Sequence, residues 1–388
     1  MSSAIPVPRV ISCAGFVTSL GGGRLSPRVK SAMAEATDST WRPDDLQRWA
    51  GEVIAELTGA EAGWVTNGAA AGMTLATAAC IAGRSNELID RVPAVGDRAD
   101  GILIQRGHRN AYDRAFRTAG ARLVEVGYPL IEGVGLTYEW QLEAALDETI
   151  VAIGHLALAD DAGVPLRRVC ELARERQLSV IVDAAAELPP VANLRRFVAD
   201  GASAVVFSGG KAIRGPQASG VLAATRELID SVRLQTLDMD IDAETWLERE
   251  GRLPPHHGIG RSMKVGKEEI VGLVVALQEF VERDHDAERE ELRAWLVRVA
   301  DRVGENARVV DEVHFYPRLV ADLPSRWSAR EAAAELAAQD PAVVLPHAPL
   351  ARAELVLCPE AIAPADRQHV ERSLMDVVAR HRTDVAPA

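Results

Sequence analysis

The residues best suited to chemistry in this chain are Asp183 and Lys211. Each follows a short apolar run. Ser179-Val180-Ile181-Val182 precedes the aspartate, and Ser203-Ala204-Val205-Val206-Phe207 leads into Ser208-Gly209-Gly210-Lys211-Ala212-Ile213-Arg214. Such runs predict strands buried on both faces. They lie about one strand-helix-strand unit apart, so an acid and an amine are expected at the carboxyl edge of one parallel sheet. Gly209 and Gly210 let the backbone turn tightly or come close to a ligand. Most lysines are solvated surface groups, but the strand and the glycines before Lys211 argue for a held one. A phosphate clamp of the G-x-x-x-x-G-K-[ST] type is excluded, because Val205 stands at its first glycine and Ala212 at its hydroxyl position.

A strand-end Lys beside a strand-end Asp suits pyridoxal phosphate (PLP): the lysine forms the Schiff base and the aspartate keeps the pyridinium nitrogen protonated. Ala184, Ala185 and Ala186 are small enough to let a flat ring lie close, though plain packing explains them equally well. A phosphate cradle is expected at Asn67, Gly68, Ala69 and Ala70, where a strand turns into a helix whose first N–H groups are free to bind an anion. Ser208 is an additional donor. His108, in Arg106-Gly107-His108-Arg109-Asn110, follows another apolar run and is a candidate for ring stacking or proton transfer. Arg261, in Gly258-Ile259-Gly260-Arg261-Ser262-Met263-Lys264, is a candidate for a bidentate grip on a substrate carboxylate from a second domain. His256 and His257 are weaker candidates for substrate contact or proton transfer, and no metal-ligand spacing accompanies them.

Composition bounds these readings. The chain has 388 residues, enough for two domains and a large core. No apolar run is long enough to span a bilayer, and the N-terminus lacks a signal-peptide pattern. Cys13, Cys80, Cys170 and Cys358 lie far apart, as expected of reduced thiols in a cytoplasmic protein. A net charge of −13 argues against a broad nucleic-acid surface.

Strands are expected at residues 63–66, 102–105, 122–126, 150–154, 179–183, 204–208 and 220–224, with amphipathic helices between them. Residues 166–176 form one such helix, with Leu166, Val169, Cys170 and Ala173 on one face and Pro165 before its start. This rhythm predicts an α/β fold with a mostly parallel seven-stranded sheet. It breaks after about Arg226. Residues 228–250 read as helical, 251–260 as a loop, and 264–302 as helical with a break. Residues 313–323, 342–346 and 355–357 read as strands of a smaller α+β domain, and 383–388 as a frayed end. The expected organisation is an arm at 1–45, a large PLP-binding domain at 46–255 and a small C-terminal domain at 256–388.

Three segments carry a family resemblance: Asp183-Ala184-Ala185-Ala186-Glu187-Leu188-Pro189-Pro190, the stretch from Phe207 to Gln217, and Gly260-Arg261-Ser262-Met263-Lys264-Val265-Gly266-Lys267-Glu268-Glu269. With Gly107-His108-Arg109-Asn110 and Leu20-Gly21-Gly22-Gly23-Arg24-Leu25-Ser26-Pro27, the chain resembles the selenocysteine synthase and D-glucosaminate-6-phosphate ammonia-lyase group of PLP enzymes. The resemblance spans roughly Val10 to Leu277. It implies the aspartate aminotransferase-like fold (fold type I) and a homodimer or higher oligomer. It also implies α,β-elimination on a β-hydroxy or β-substituted amino acid or amino sugar acid, yielding a keto acid and ammonia. Lys211 would take the α-proton and His108 would assist the leaving hydroxyl. Arg24, Arg109, Arg214 and Arg261 would line a pocket for an acidic substrate. The chain departs from the family pattern at Ser12-Cys13 and at Thr40-Trp41-Arg42-Pro43, both of which approach the substrate in such folds. Racemisation or epimerisation and transamination remain alternatives on the same scaffold. Selenium transfer to a seryl-tRNA and PLP binding without turnover fit less well.

Overall fold

The structure, a computed structural model of the chain, describes residues 5–131, 134–159, 163–238, 240–311, 315–323 and 328–383. Two compact units emerge, Leu25–Val281 and Met1–Arg24 together with Glu282–Ala388. These divide the chain at other positions than the changes of rhythm do. The helix Lys267–Glu282 packs within the first unit, where its Gly272 lies against Met33 and Pro216.

The first unit is built on seven strands: β1 (Ala62–Thr66), β2 (Gly101–Gln105), β3 (Arg122–Val126), β4 (Ile150–Leu156), β5 (Ser179–Asp183), β6 (Ala204–Ser208) and β7 (Gly220–Ala224). Their order across the sheet is β1-β7-β6-β5-β4-β2-β3, and only β7 runs against the rest. The expected mostly parallel seven-stranded sheet is therefore present. Its central strands are apolar on both faces because helices cover both sides. β3, at the edge, is only partly buried and carries the exposed charged residues Arg122 and Glu125.

Four helices matter for the site: α1 (Pro43–Thr58), α2 (Gly68–Ala82), α3 (Arg226–Gln235) and α4 (Lys267–Glu282). Helix α2 is rich in alanine and lies almost wholly buried against the sheet. Its hydroxyls are satisfied by carbonyls: the single Thr74 O–H is shared between those of Ala70 and Ala115, and Thr77 Oγ1 donates to that of Met73. The stretch expected to be one helix over 228–250 is two, α3 and Ala243–Glu250, because Asp242 caps the second with a bond from the Thr245 N–H. A hairpin, Tyr128–Ile131 with Val134–Leu136, follows β3 and had no sequence signal strong enough to read.

The other edge strand, β1, is protected by a side chain. Gln47 on α1 donates from Nε2 to the Val65 carbonyl at 2.9 Å and accepts from the Val65 N–H at 3.0 Å. One amide thus stands in for a missing neighbouring strand at a residue that is fully buried.

In the second unit, Ala307–Val310, Arg318–Asp322 and Glu354–Leu357 form an antiparallel sheet. The helices His285–Val303, Ala329–Ala337 and Arg367–Thr383 complete a core that includes Trp295, Leu319, Leu336 and Val377. Strand Val10–Ser12 pairs in parallel with Ala342–Val344. Of the expected strand 313–323 and frayed end 383–388, residues 313–314 and 384–388 lie outside the described residues. Among the described residues, no helix is long and apolar enough to cross a membrane.

Gln47→Leu removes both partners of Val65 while keeping an apolar side chain. Two buried backbone groups are then unsatisfied, and the folded state loses about 2–4 kcal/mol. The lowered midpoint of urea unfolding measures this; an unchanged midpoint contradicts the role assigned to Gln47.

Candidate active site

The sheet's register brings the candidate residues to one edge. Gly220 stands opposite both Thr66 and Ser208, so the ends of β1 and β6 flank the start of β7. A side chain at Gly220 would meet the Gly68 carbonyl carbon at 2.5 Å and the Ala69 nitrogen at 2.8 Å. The missing side chain is what seats the first turn of α2 against the sheet edge, beside Ser208. Asn67 and Ala70 are exposed there, Gly68 is half-buried and Ala69 is buried. Asn67 makes no side-chain capping bond, so it does not occupy the first-turn N–H groups of α2. A shallow cavity of about 390 Å³ lies over this turn, lined by Asn67, Ala70, Thr74, Tyr112 and Ser262 among others.

Lys211 projects from a closed turn. Gly209 N–H donates to the Ser219 carbonyl at 2.9 Å, Gly215 N–H to that of Gly209 at 2.8 Å, and Arg214 N–H to that of Lys211 at 2.9 Å. A side chain at Gly210 would meet the Cα of Gln217 at 2.9 Å, and one at Gly209 would meet Leu273 Cδ1 at 2.7 Å. Both glycines are therefore demanded by close approach of neighbouring segments. Asp183 closes the adjacent parallel strand and is 9% exposed. The Ala185 N–H donates to its Oδ1 at 3.1 Å, which fixes the carboxylate's rotation.

Burial dominates the electrostatics of this pair. It pushes the Asp183 carboxyl up, against the Ala185 hydrogen bond and the Lys211 charge. It pushes the Lys211 amine down, against the attraction of Asp183 and Glu187. Glu187 did not stand out in the sequence as a charge partner. It lies four residues after Asp183 in a turn held by Glu187 N–H to the Ala184 carbonyl and by Asn193 Nδ2 to the Glu187 carbonyl, at 3.1 and 2.7 Å.

His108 is 1% exposed and lies beyond the end of β2. Its Nδ1 accepts the Leu156 N–H at 3.2 Å. The neutral ring therefore carries its proton on Nε2. Protonating Nδ1 would set two N–H donors against each other in a buried place. The geometry suits a neutral hydrogen-bond donor rather than the cationic acid expected for a leaving hydroxyl. His155 stands beside it, and was hidden in the sequence because β4 extends two residues past its expected end at Gly154.

The arginines are dispersed. Arg109 binds Asp113 and Glu125. Arg214 is half-buried, with φ of 60°, three residues after Lys211. Arg24 is exposed and belongs to the other unit. Arg261 belongs to the same unit as Lys211, because Gly258 and Gly260 pack against the Gln235 backbone at the end of α3. It pairs with Asp238 at 2.6 Å. The two residues share the wall of a cavity of about 710 Å³ with Trp41, Trp64, Trp246 and Thr66. Two sequence signals, Arg261 and the unusual Trp41 segment, thus meet in one place. Neither Lys211 nor Asp183 lines that cavity, but Thr66 directly precedes the α2 cradle. His256 and His257 are exposed, and their backbone N–H groups donate to Asp90.

No family model matches the chain. It is 32% identical over 390 aligned residues to a Streptomyces sp. 5'-C-glycyluridine monooxygenase-decarboxylase, covering 96% of this chain and 90% of that one. It is 31% identical over 302 residues to D-glucosaminate-6-phosphate ammonia lyase of Salmonella typhimurium, covering 76% and 73%. The solved structure of a D-glucosaminate-6-phosphate ammonia-lyase superimposes with a TM-score of 0.81 at 26% identity, over 98% of this chain and all of that one. The chain belongs to the selenocysteine synthase and D-glucosaminate-6-phosphate ammonia-lyase group of PLP fold type I enzymes. Its fold is the aminotransferase-like fold of that group, and its relatives are enzymes.

The residues present fit PLP. A buried carboxylate, an amine with a lowered pKa and an open helix N-terminus converge on one sheet edge. Without the cofactor, the pair opposes folding near neutrality. The folded Lys211 value lies below the unfolded one, so its contribution to stability is present above the unfolded value of 10.5 and is lost as pH falls through the folded value. The folded Asp183 value lies above the unfolded 3.8, so its contribution is lost as pH rises through the folded value. Replacing both charges, Asp183→Asn with Lys211→Met, in the cofactor-free protein at pH 7 should therefore raise stability by about 1–2 kcal/mol. Urea unfolding checks this, and a lower midpoint than wild type contradicts the assigned electrostatics.

Proposed function

We propose that this chain is a PLP-dependent lyase acting at the α-carbon of an amino acid. The favoured reaction is α,β-elimination on a β-hydroxy or β-substituted amino acid or amino sugar acid. The observation that carries the reading is the buried Asp183 and the half-buried Lys211, at and just beyond the ends of neighbouring parallel strands. Kinship to an ammonia lyase supports it.

When bound, PLP supplies an electron sink that stabilises negative charge at the substrate's α-carbon. Lys211 would hold its aldehyde carbon, Asp183 its ring nitrogen, and the N–H groups of Gly68, Ala69 and Ala70 with the Ser208 hydroxyl its phosphate. Ala185 leaves room beside the ring. His108 would face the ring as a neutral imidazole. Lys211 Nζ takes the α-proton, and its lowered pKa keeps more of it as free amine near neutrality. The same ammonium, supported by Glu187, would then deliver a proton to the departing β-oxygen, which leaves as water. Hydrolysis of the remaining enamine gives the keto acid and ammonia.

Arg261 would exchange Asp238 for an acidic group of the substrate, and the adjoining cavity would take the substrate's bulk. At about 710 Å³, it admits a sugar-acid or nucleoside-sized group. A small-molecule substrate and a homo-oligomer in the cytoplasm complete the proposal, with no nucleic-acid or membrane partner. Arg109 is a weaker substrate contact, because two carboxylates already engage it.

A second reading has its own support. The kinship to the monooxygenase-decarboxylase extends over both units, at 96% of the chain, whereas the ammonia-lyase match covers 76%. That reading is oxygen-dependent decarboxylation of an amino acid carrying a nucleoside-like group.

One screen separates these. Candidate amino acids are incubated with the PLP-loaded protein in heavy water and followed by mass spectrometry. The proposal expects ammonia and a 2-keto acid without oxygen or an added keto acid. Oxygen uptake with carbon dioxide release moves the assignment to the second reading. Dependence on a keto acid indicates transamination, and α-deuteration with inversion but no ammonia indicates racemisation. With the substrate found, Arg261→Lys should raise KM about tenfold or more with little change in kcat, because a point charge replaces a two-pronged grip. An unchanged KM removes Arg261 from the substrate site.

A further inference from the structure

Consecutive residues of β4, His155 and Leu156, both contact the His108 ring. The Leu156 N–H donates to Nδ1 at 3.2 Å. The His155 ring packs against the His108 ring with centroids 4.4 Å apart and planes at 85°. Both rings are buried, at 1% and 2% exposure. An edge-to-face contact of this kind is favoured by the ring quadrupoles and fixes an angle as well as a position. The backbone bond fixes which nitrogen accepts. That bond survives only while the ring stays in the plane of the Leu156 N–H, and the flank against His155 forms one wall against rotation out of it.

We propose that His155 is a positioning residue that fixes the ring plane and the Nε2–H tautomer of His108. A small side chain at position 155 leaves a gap beside the ring. The ring then turns about its own axis, Nδ1 loses the Leu156 N–H, and the two neutral tautomers exchange. An aromatic ring without ring nitrogens keeps the contact and hence the tautomer. The catalytic consequence rests on the reading that His108 faces the cofactor ring, but the tautomer itself does not.

The experiment uses cofactor-free protein labelled with ¹⁵N-histidine. The chain has nine histidines, so the two-bond proton–nitrogen spectrum is tractable, and the His108 signals are assigned by their loss in His108→Gln. Wild type should show a single neutral Nε2–H pattern for His108. His155→Ala should show nitrogen shifts averaged between the tautomers, and His155→Phe should restore the wild-type pattern. If His155→Ala lacks a cooperative urea transition, His155→Leu against His155→Phe makes the same comparison, with the leucine variant averaged. An unaltered Nε2–H pattern in the alanine or leucine variant overturns the proposal, as does averaging in His155→Phe equal to theirs. In the loaded enzyme, His155→Ala should lower kcat about tenfold with KM within about twofold, and His155→Phe should recover most of it. The spectra need no cofactor and no turnover. A wild-type protein that shows the tautomer pattern but fails every substrate test therefore sinks the functional reading and leaves this one standing.

Discussion

The placing of a buried carboxylate at the end of β5 and a half-buried amine just beyond β6 is the constraint on which the rest of the structure depends. An isolated buried carboxylate or ammonium costs far more than a domain's net stability, so neither is found without a partner or a shifted pKa. Here both are present and both are shifted toward neutrality. The fold must hold them close without letting water relieve them. Parallel neighbouring strands do this by ending on one edge, and the closed Gly209–Gly215 turn keeps Lys211 near enough for it and Asp183 to act on each other. The local arrangement is unfavourable in the empty protein and becomes favourable when a ligand bonds both groups. Such a place is where function is expected to reside.

Around that pair, the chain replaces mobility with fixed bonds. Asp183 is oriented by Ala185, His108 by Leu156 and His155, and the α2 start by the bare Gly220. The edge strand that carries the cradle is closed by Gln47 rather than by another strand. The same device recurs at the end of β2, where Gln105 donates to the Val164 carbonyl and accepts the Val164 N–H. Preorganisation of this kind keeps reacting groups in place without rearrangement at the moment of reaction. The wider cavity around Trp41 and Arg261 reaches Thr66, beside the start of α2, and includes neither Asp183 nor Lys211 in its wall.

Much of this was legible in the sequence for a plain reason. Most of the seven sheet strands are short apolar runs bounded by turn residues, so local pattern alone locates them. Asp183, Lys211 and the cradle sit at the ends of those runs, and parallel topology does the rest. What escaped depends on long-range contact. Gln47 reads as a polar residue of an amphipathic helix until Val65 is placed beside it. His155 lay beyond the point where an apolar strand pattern stops. Arg261 read as a residue of a second domain, because nothing local reveals that Gly258 and Gly260 press onto the end of α3. The pairing of Arg109 with Asp113 and Glu125 was likewise invisible, although Asp113 is only four residues away. Acidic residues near a basic one are too common in a chain of net charge −13 to signal a specific pair.

The most direct measurement of the central claim uses the chain's small lysine inventory. Only Lys30, Lys211, Lys264 and Lys267 are present, so a covalent label has few places to go. The protein is loaded with PLP, reduced with borohydride, digested and mapped by mass spectrometry. The account predicts one modified peptide, containing Lys211, and a loss of that modification in Asp183→Ala under the same loading. Modification at any other lysine, or none at Lys211 in wild type, contradicts it.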